Sequence, residues 1–173
     1  MATEFQRRKI DLAFALLDVD GDGFLTEQDF VLLGRRWTGR AGDEDHAVRE
    51  TMLGWWQVLS AAADGSDQVS LDDVLGVVDV LPTMPHAVDG TAEAMFAIVD
   101  ANGDGEVDHA EYKQMIETFG GRGVDTAAAF DQLDLNGDGR ISREEFRANW
   151  YEFWAGTDPS HPGRLLFGPV EAV

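Results

Sequence analysis

Cysteine is absent from this chain of 173 residues. That excludes a thiol nucleophile, a thiolate metal site and a disulfide framework together. A chain of this length folds without disulfides, because it can bury roughly 70% of the surface its unfolded form exposes. Positive charge is scarce. Thirteen Lys and Arg face 33 Asp and Glu, for a formal charge of −20 and a pI near 4.2. Such a surface repels nucleic-acid phosphates and anionic lipid faces, so neither a nucleic acid nor a membrane is expected as a partner. Long apolar runs are also missing, and none approaches the roughly 20 residues of a membrane span. No apolar stretch follows the basic Arg7, Arg8 and Lys9, which argues against a signal peptide, and Ala2 excludes N-myristoylation. A cytoplasmic location fits these absences.

What is present suffices for a folded core. Hydrophobic residues make up 44% of the chain and aromatics 10%, which sets it apart from disordered acidic chains. The acids therefore have to be sorted by position. Three segments align without gaps: DVDGDGFLTEQD over 18–29, DANGDGEVDHAE over 100–111 and DLNGDGRISREE over 134–145. Each has Asp first, Asp or Asn third, Asp fifth, Gly sixth, an aliphatic residue eighth and an acid twelfth. This is the calcium-loop pattern D-x-[DN]-x-[DN]-G-x₅-E.

The chemistry of a hard cation explains the spacing. Calcium takes six to eight oxygens at about 2.3–2.6 Å, and one short loop supplies them only if alternate side chains converge. Asp18, Asp20 and Asp22 are placed to do so, as are Asp100, Asn102 and Asp104, and Asp134, Asn136 and Asp138. The turn behind them requires an unusual backbone conformation, hence Gly23, Gly105 and Gly139. Phe24, Glu106 and Arg140, in seventh place, offer a backbone carbonyl, so their side chains are free to vary. Thr26, Asp108 and Ser142, in ninth place, give an oxygen directly or through water. Asp29, Glu111 and Glu145 close the shell from the next helix. Leu25, Val107 and Ile141 suit a short β-bridge joining loops back to back. Eleven of the 33 acids fall on these ligand positions. Their mutual repulsion should couple folding to cation binding, and three divalent ions would bring the charge from −20 to −14.

Helical apolar spacing flanks every loop. Ile10, Phe14 and Leu17 precede the first, and Phe30, Leu33 and Trp37 follow it. Phe96 and Val99 precede 100–111, with Tyr112, Met115 and Phe119 after it. Phe130 and Leu133 precede 134–145, with Phe146, Trp150 and Phe153 after it. Loops of this kind pair, so the first needs a partner. Residues 62–73 fit its register, with Val69 in eighth place. Ala62 stands where the first ligand belongs and Asp67 where the turn glycine belongs, so this unit reads as a silent structural partner. Val48, Met52, Trp55, Trp56 and Leu59 precede it, and Val74, Leu75 and Val78 follow. The expected division is a first pair over 1–81, a linker broken by Pro82 and Pro85, and a second pair over 90–154. A tail over 155–173, with Leu165, Leu166 and Phe167, is expected to pack on the body.

This arrangement resembles the EF-hand superfamily, and within it the sarcoplasmic calcium-binding proteins and the bacterial calerythrin-like proteins. The resemblance spans nearly the whole chain: four units, a degenerate second one and a C-terminal extension. It implies an all-α fold of four helix–loop–helix units in two pairs, one compact globule, with very short β-bridges between paired loops. It also implies a cytoplasmic calcium binder with three sites, acting as a buffer or a modulator of calcium signals, and a monomer is expected. One departure matters. Asp29 stands where the pattern prefers Glu, and it is one methylene shorter. Either the first loop binds calcium more weakly or holds Mg²⁺ at rest, or a water replaces the missing oxygen.

Other functions fit less well. The run Leu16-Leu17-Asp18-Val19-Asp20-Gly21 resembles the nucleophile motif of haloacid-dehalogenase-type phosphatases, but that motif ends a strand, and here a helical pattern precedes it. No G-x-S-x-G, H-E-x-x-H or Walker loop occurs, so no enzyme is expected. His46, His86, His109 and His161 are scattered. A sensor would open a methionine-rich groove for a protein partner, yet the chain has five Met and no Met cluster, against five Trp. A sensor that frees its apolar tail remains an alternative, as does a small-ligand binder like the light-emitting photoproteins.

Overall fold

The structure, a computed structural model, describes residues 3–41, 46–121 and 123–168, the side chains of 40 and 41 excepted. Helix α1 (Glu4–Leu17) starts on a capping box, in which Thr3 Oγ1 accepts from Gln6 N–H and Gln6 Oε1 accepts from Thr3 N–H. Its apolar face buries Ile10, Ala13, Phe14 and Leu17. Helices α2 (Glu27–Ala41), α3 (His46–Ala62) and α4 (Leu71–Val80) complete the first half. Helices α5 (Pro85–Val99), α6 (His109–Thr118), α7 (Thr126–Leu133) and α8 (Arg143–Trp154) form the second. The only sheet among the described residues pairs β1 (Glu106–Val107) with β2 (Ile141–Ser142), antiparallel, with Val107 opposite Ile141. The fold is all-α, as expected. Among the described residues no helix is long and apolar enough to cross a membrane.

The same local rules build each loop's borders. The first residue of a loop caps the entering helix: Asp18, Asp100 and Asp134 donate their N–H groups to Phe14, Phe96 and Phe130 carbonyls. The ninth residue caps the exiting helix in two of the loops, where Asp108 and Ser142 form capping boxes with Glu111 and Glu145. The spacing of a capping box is therefore the spacing between the ninth and twelfth ligand positions. One sequence interval both starts the helix and aims the acid.

The expected bridges form. Leu25 and Val69 exchange two backbone hydrogen bonds of 2.8 and 2.9 Å, tying the first loop to the silent one. Their side chains, like those of Val107 and Ile141, are buried. Aromatic contacts then join the halves: Trp37 lies edge-on to Phe119, and Trp55 packs against Trp150 with ring centroids 5.6 Å apart.

Two features differ from the linear reading. The chain breaks after Val80, but Pro85 does not extend the break. It opens α5, where its missing N–H has no helical acceptor to serve and its fixed φ is already helical. The second difference is Lys9. It is fully buried, and its Nζ donates to the carbonyls of Glu152 (2.7 Å) and Gly156 (2.9 Å) at the C-terminal end of α8. A cation suits that end of a helix dipole. Burial pushes the Lys9 amine down to about 8, with the Glu152 charge opposing.

After α8 the chain turns back through a short 3₁₀ segment, Pro162–Leu165, that lies on α8 and α7. Leu165, Leu166 and Phe167 are buried, and the Phe167 ring meets Phe119, Trp150, Phe153 and Trp154. Tyr112 Oη donates to the Leu165 carbonyl at 3.0 Å. The end of the expected tail, 169–173, lies outside the described residues, as do Met1 and Ala2.

Candidate metal centre

The three loops that match the ligand pattern, 18–29, 100–111 and 134–145, repeat one hydrogen-bond pattern. The first Asp takes three N–H groups on its two oxygens, which pins its carboxylate at the centre of the turn. In loop 18–29, Asp18 Oδ1 accepts from Gly21 (2.8 Å) and Asp22 (3.2 Å), and Oδ2 from Gly23 (2.9 Å). Asp100 accepts from Gly103, Asp104 and Gly105 at 2.8, 3.2 and 2.9 Å. Asp134 accepts from Gly137, Asp138 and Gly139 at 2.8, 3.2 and 2.7 Å. The third-position side chain then accepts from the fifth-position N–H, through Asp20, Asn102 and Asn136. The fifth accepts from the seventh, through Asp22, Asp104 and Asp138.

The turn glycines have left-handed φ near +87°, as at Gly105 and Gly139. A second left-handed glycine occurs in fourth place, such as Gly103 at +72°, which the ligand pattern does not demand but the D-x-N-G-D-G repeat spells out. The silent loop is built otherwise. Its left-handed residues are Asp64 and Gly65, so the reversal comes at its third and fourth places and not at Asp67.

The twelfth acid spans each ligand-bearing loop. Glu111 Oε1 accepts from Ala101 and Asn102 N–H, and Oε2 from Asp108 N–H. Glu145 Oε1 accepts from Asn136 N–H, and Oε2 from the N–H and Oγ of Ser142. Asp29 makes the same span despite its shorter side chain, with Oδ1 on Val19 N–H (2.9 Å) and Oδ2 on Thr26 N–H and Oγ1 (both 2.8 Å). It is only 1% exposed. In the silent loop Asp73 accepts from Ser70 N–H and Oγ alone.

These residues fit a hard divalent cation. Carboxylate oxygens of Asp18, Asp20 and Asp22 lie within 4.8 Å of one another. Oxygens on opposite sides of one calcium ion are separated by about 5 Å, so the three can share an ion. Their proximity has an electrostatic cost. The Asp22 N–H pulls the Asp20 carboxyl down, but desolvation and the charges of Asp22, Asp29 and Asp18 leave it raised on balance. A bound cation would relieve that strain. The histidines take other roles: His109 Nε2 bonds Thr126 Oγ1, and His161 Nδ1 accepts from Gly163 N–H.

Comparison with known proteins agrees with this geometry. The sequence pattern of the EF-hand domain pair matches residues 91–151, and that of the EF hand matches 10–33. Both segments are EF hands. The ion that loops of this class take is calcium. A probable calcium-binding protein of rice, Oryza sativa subsp. japonica, is 28% identical over 62% of this chain and 71% of its own. A sarcoplasmic calcium-binding protein from amphioxus has the same fold, with a TM-score of 0.75 at 21% identity over 98% of this chain and 99% of its own. A Streptomyces coelicolor calcium-binding protein superposes with a TM-score of 0.71 at 23% identity, over 90% of this chain and all of its own. The coelenterazine-binding protein of Renilla muelleri, in a calcium-loaded apo form, gives 0.69 at 24% identity, covering 96% and 98%.

Proposed function

We propose that this EF-hand protein binds calcium at three loops, 18–29, 100–111 and 134–145, and acts as a compact calcium buffer or signal modulator without catalysing a reaction. Side-chain ligands come from the first, third, fifth, ninth and twelfth positions, and carbonyls from Phe24, Glu106 and Arg140. The observation that carries the reading is the threefold recurrence of one hydrogen-bond pattern around the first Asp, which loop 62–73 does not share. Such a loop presents its oxygens before an ion arrives.

Buffering over sensing rests on where the apolar groups lie. Met52, Met95 and Met115 are buried and Met84 is exposed, so the described residues show no exposed cluster of methionines. The tail covers the aromatic cluster of the second half. A sensor needs such surface to be released on binding. A second reading has one observation in its favour. The indole N–H groups of Trp37, Trp55 and Trp154 are buried with no acceptor among the described residues, as donors awaiting a small polar ligand would be.

The test is a calorimetric calcium titration in about millimolar magnesium, with a hydrophobic dye added in parallel. Three sites and a flat or falling dye signal are expected. A steep rise of dye emission near micromolar calcium would replace the buffer with a sensor. A coloured or fluorescent purified protein would favour the small-ligand reading.

A further inference from the structure

The second pair of loops is electrostatically lopsided. The β1–β2 register sets Glu106 opposite Ser142 and Val107 opposite Ile141. One step further along that register, Arg140 faces Asp108. Arg140 is the seventh residue of loop 134–145, yet its side chain reaches into loop 100–111. Its Nη1 lies 3.7 Å from Asp104 Oδ2 and 3.9 Å from Asp108 Oδ2. Those carboxylates hold the fifth and ninth ligand positions of the neighbouring loop. Other groups at these carboxylates are the Asn102 amide, which donates to the same Asp104 oxygen at 3.1 Å, the Glu106 N–H on the other Asp104 oxygen, and the Glu111 N–H on Asp108 Oδ1. The seventh residue of loop 100–111 is the acid Glu106, so the seventh place there offers no cation for the reverse crossing.

We infer that Arg140 is an intramolecular counter-cation of loop 100–111, which competes with the metal ion there and lowers that loop's calcium affinity. This rests on the proposal that both loops bind calcium. The physical case is short. A guanidinium beside two ligand carboxylates neutralises charge that would otherwise attract a divalent ion. It also repels that ion once bound. In its own loop Arg140 contributes only a backbone carbonyl, so its side chain is free to serve the neighbour. The pair is exposed enough, at 43% for both the Arg140 and Asp104 side chains, that its effect is modest and screened by salt.

Gly105 N–H donates to Asp100 Oδ2, and Gly139 N–H to Asp134 Oδ2, so these two amides report their loops separately by NMR. The test follows both through calcium titrations of the intact wild type, Arg140→Gln and Arg140→Lys, at low and at high salt. Arg140→Gln should tighten the loop seen by Gly105 roughly two- to tenfold at low salt, with Gly139 shifted less. The gain should fall to less than about twofold near 1 M salt, and Arg140→Lys should stay near wild type. No tightening at Gly105, or a gain that salt does not touch, overturns the role of Arg140. A wild-type Gly105 amide that ignores calcium, while Gly139 responds, overturns instead the reading of loop 100–111 as a site, and the counter-cation with it.

Discussion

The two halves of this protein pair their loops by the same device and load them differently. In the first half Leu25 and Val69 bridge loop 18–29 to a unit lacking the first ligand and the turn glycine. In the second, Val107 and Ile141 bridge two loops with full ligand sets. The difference separates two roles that one motif usually combines. An aliphatic eighth residue and a capped exit helix are enough to keep the pair folded. The proposed calcium sites have in addition a first carboxylate held by three N–H groups, and Ala62 has no carboxylate to offer. The halves also differ in what seals them. The second carries the tail, with Phe167 among four aromatic rings, and the first is fastened to it by Lys9.

The largest expected effect removes that seal. Phe167→Ala should destabilise the protein by about 3–5 kcal/mol, because a fully packed aromatic leaves a cavity. Denaturant unfolding measures this. Gly163→Ala tests the same contact from the backbone, since a Cβ there would sit 2.7 Å from the Asn149 carbonyl oxygen. If both variants unfold like wild type, the tail is an appendage and the halves are not sealed differently.

Next in size is the fastening by Lys9. Its amine is lowered to about 8 by burial, while an unfolded lysine titrates near 10.4. Between those values the unfolded chain holds a proton that the folded chain has lost, so stability from this group rises with pH across the window. Below pH 8 both states are protonated and the contribution is constant. Relative to Lys9→Met, the wild type should therefore gain up to about 3 kcal/mol between pH 7.5 and 10.5. A gap between the two proteins that stays level over that range would mean Lys9 is not buried in its charged form.

Within the second half, Glu145→Gln should weaken its own loop by about 100-fold or more, since a direct ligand matters at least as much as an outer-shell partner. Asp73→Asn in the silent loop should leave calcium stoichiometry unchanged. Calorimetry reads both. Equal losses from the two substitutions would erase the contrast between loaded and silent units.

How far the sequence alone revealed this structure depends on the range of the interaction. The helices, their buried faces from Ile10 to Phe153, the bridge residues and the silent loop's register all follow from spacings within about a dozen residues, and all are seen. Pro85, expected to break the chain with Pro82, instead begins α5, because proline both ends helices and begins them. Only the downstream run of Val88, Ala92, Met95 and Phe96 on one face decides in favour of beginning. Lys9 and Arg140 were not legible as partners. The Lys9 contact spans 143 residues and no local pattern encodes it, while the Arg140 contact crosses between loops and shows only once the two loops are set in register. Arg140 could have been found from one step of inference: the bridge register predicted from Val107 and Ile141 already sets position 140 against 108.

The smallest effect addresses the departure at Asp29. Its carboxylate accepts from the Val19 and Thr26 N–H groups, and it is almost wholly buried, so a side chain one methylene shorter than Glu should hold a cation in a tighter shell. A contracted shell suits magnesium, which demands short bonds and few protein ligands, more than calcium, which takes up to eight. Asp29→Glu restores the methylene, lets the loop relax and supplies a second oxygen without strain. Calcium over magnesium preference in loop 18–29 should then rise by about tenfold, read as the magnesium concentration needed to halve calcium occupancy there. Loops 100–111 and 134–145 should not change, because they already end in Glu. If the substitution instead weakens calcium in loop 18–29, the buried site has no room for the longer acid. The size of the shell would then be set by the surrounding core, by Leu25 and Phe30, and not by the length of Asp29.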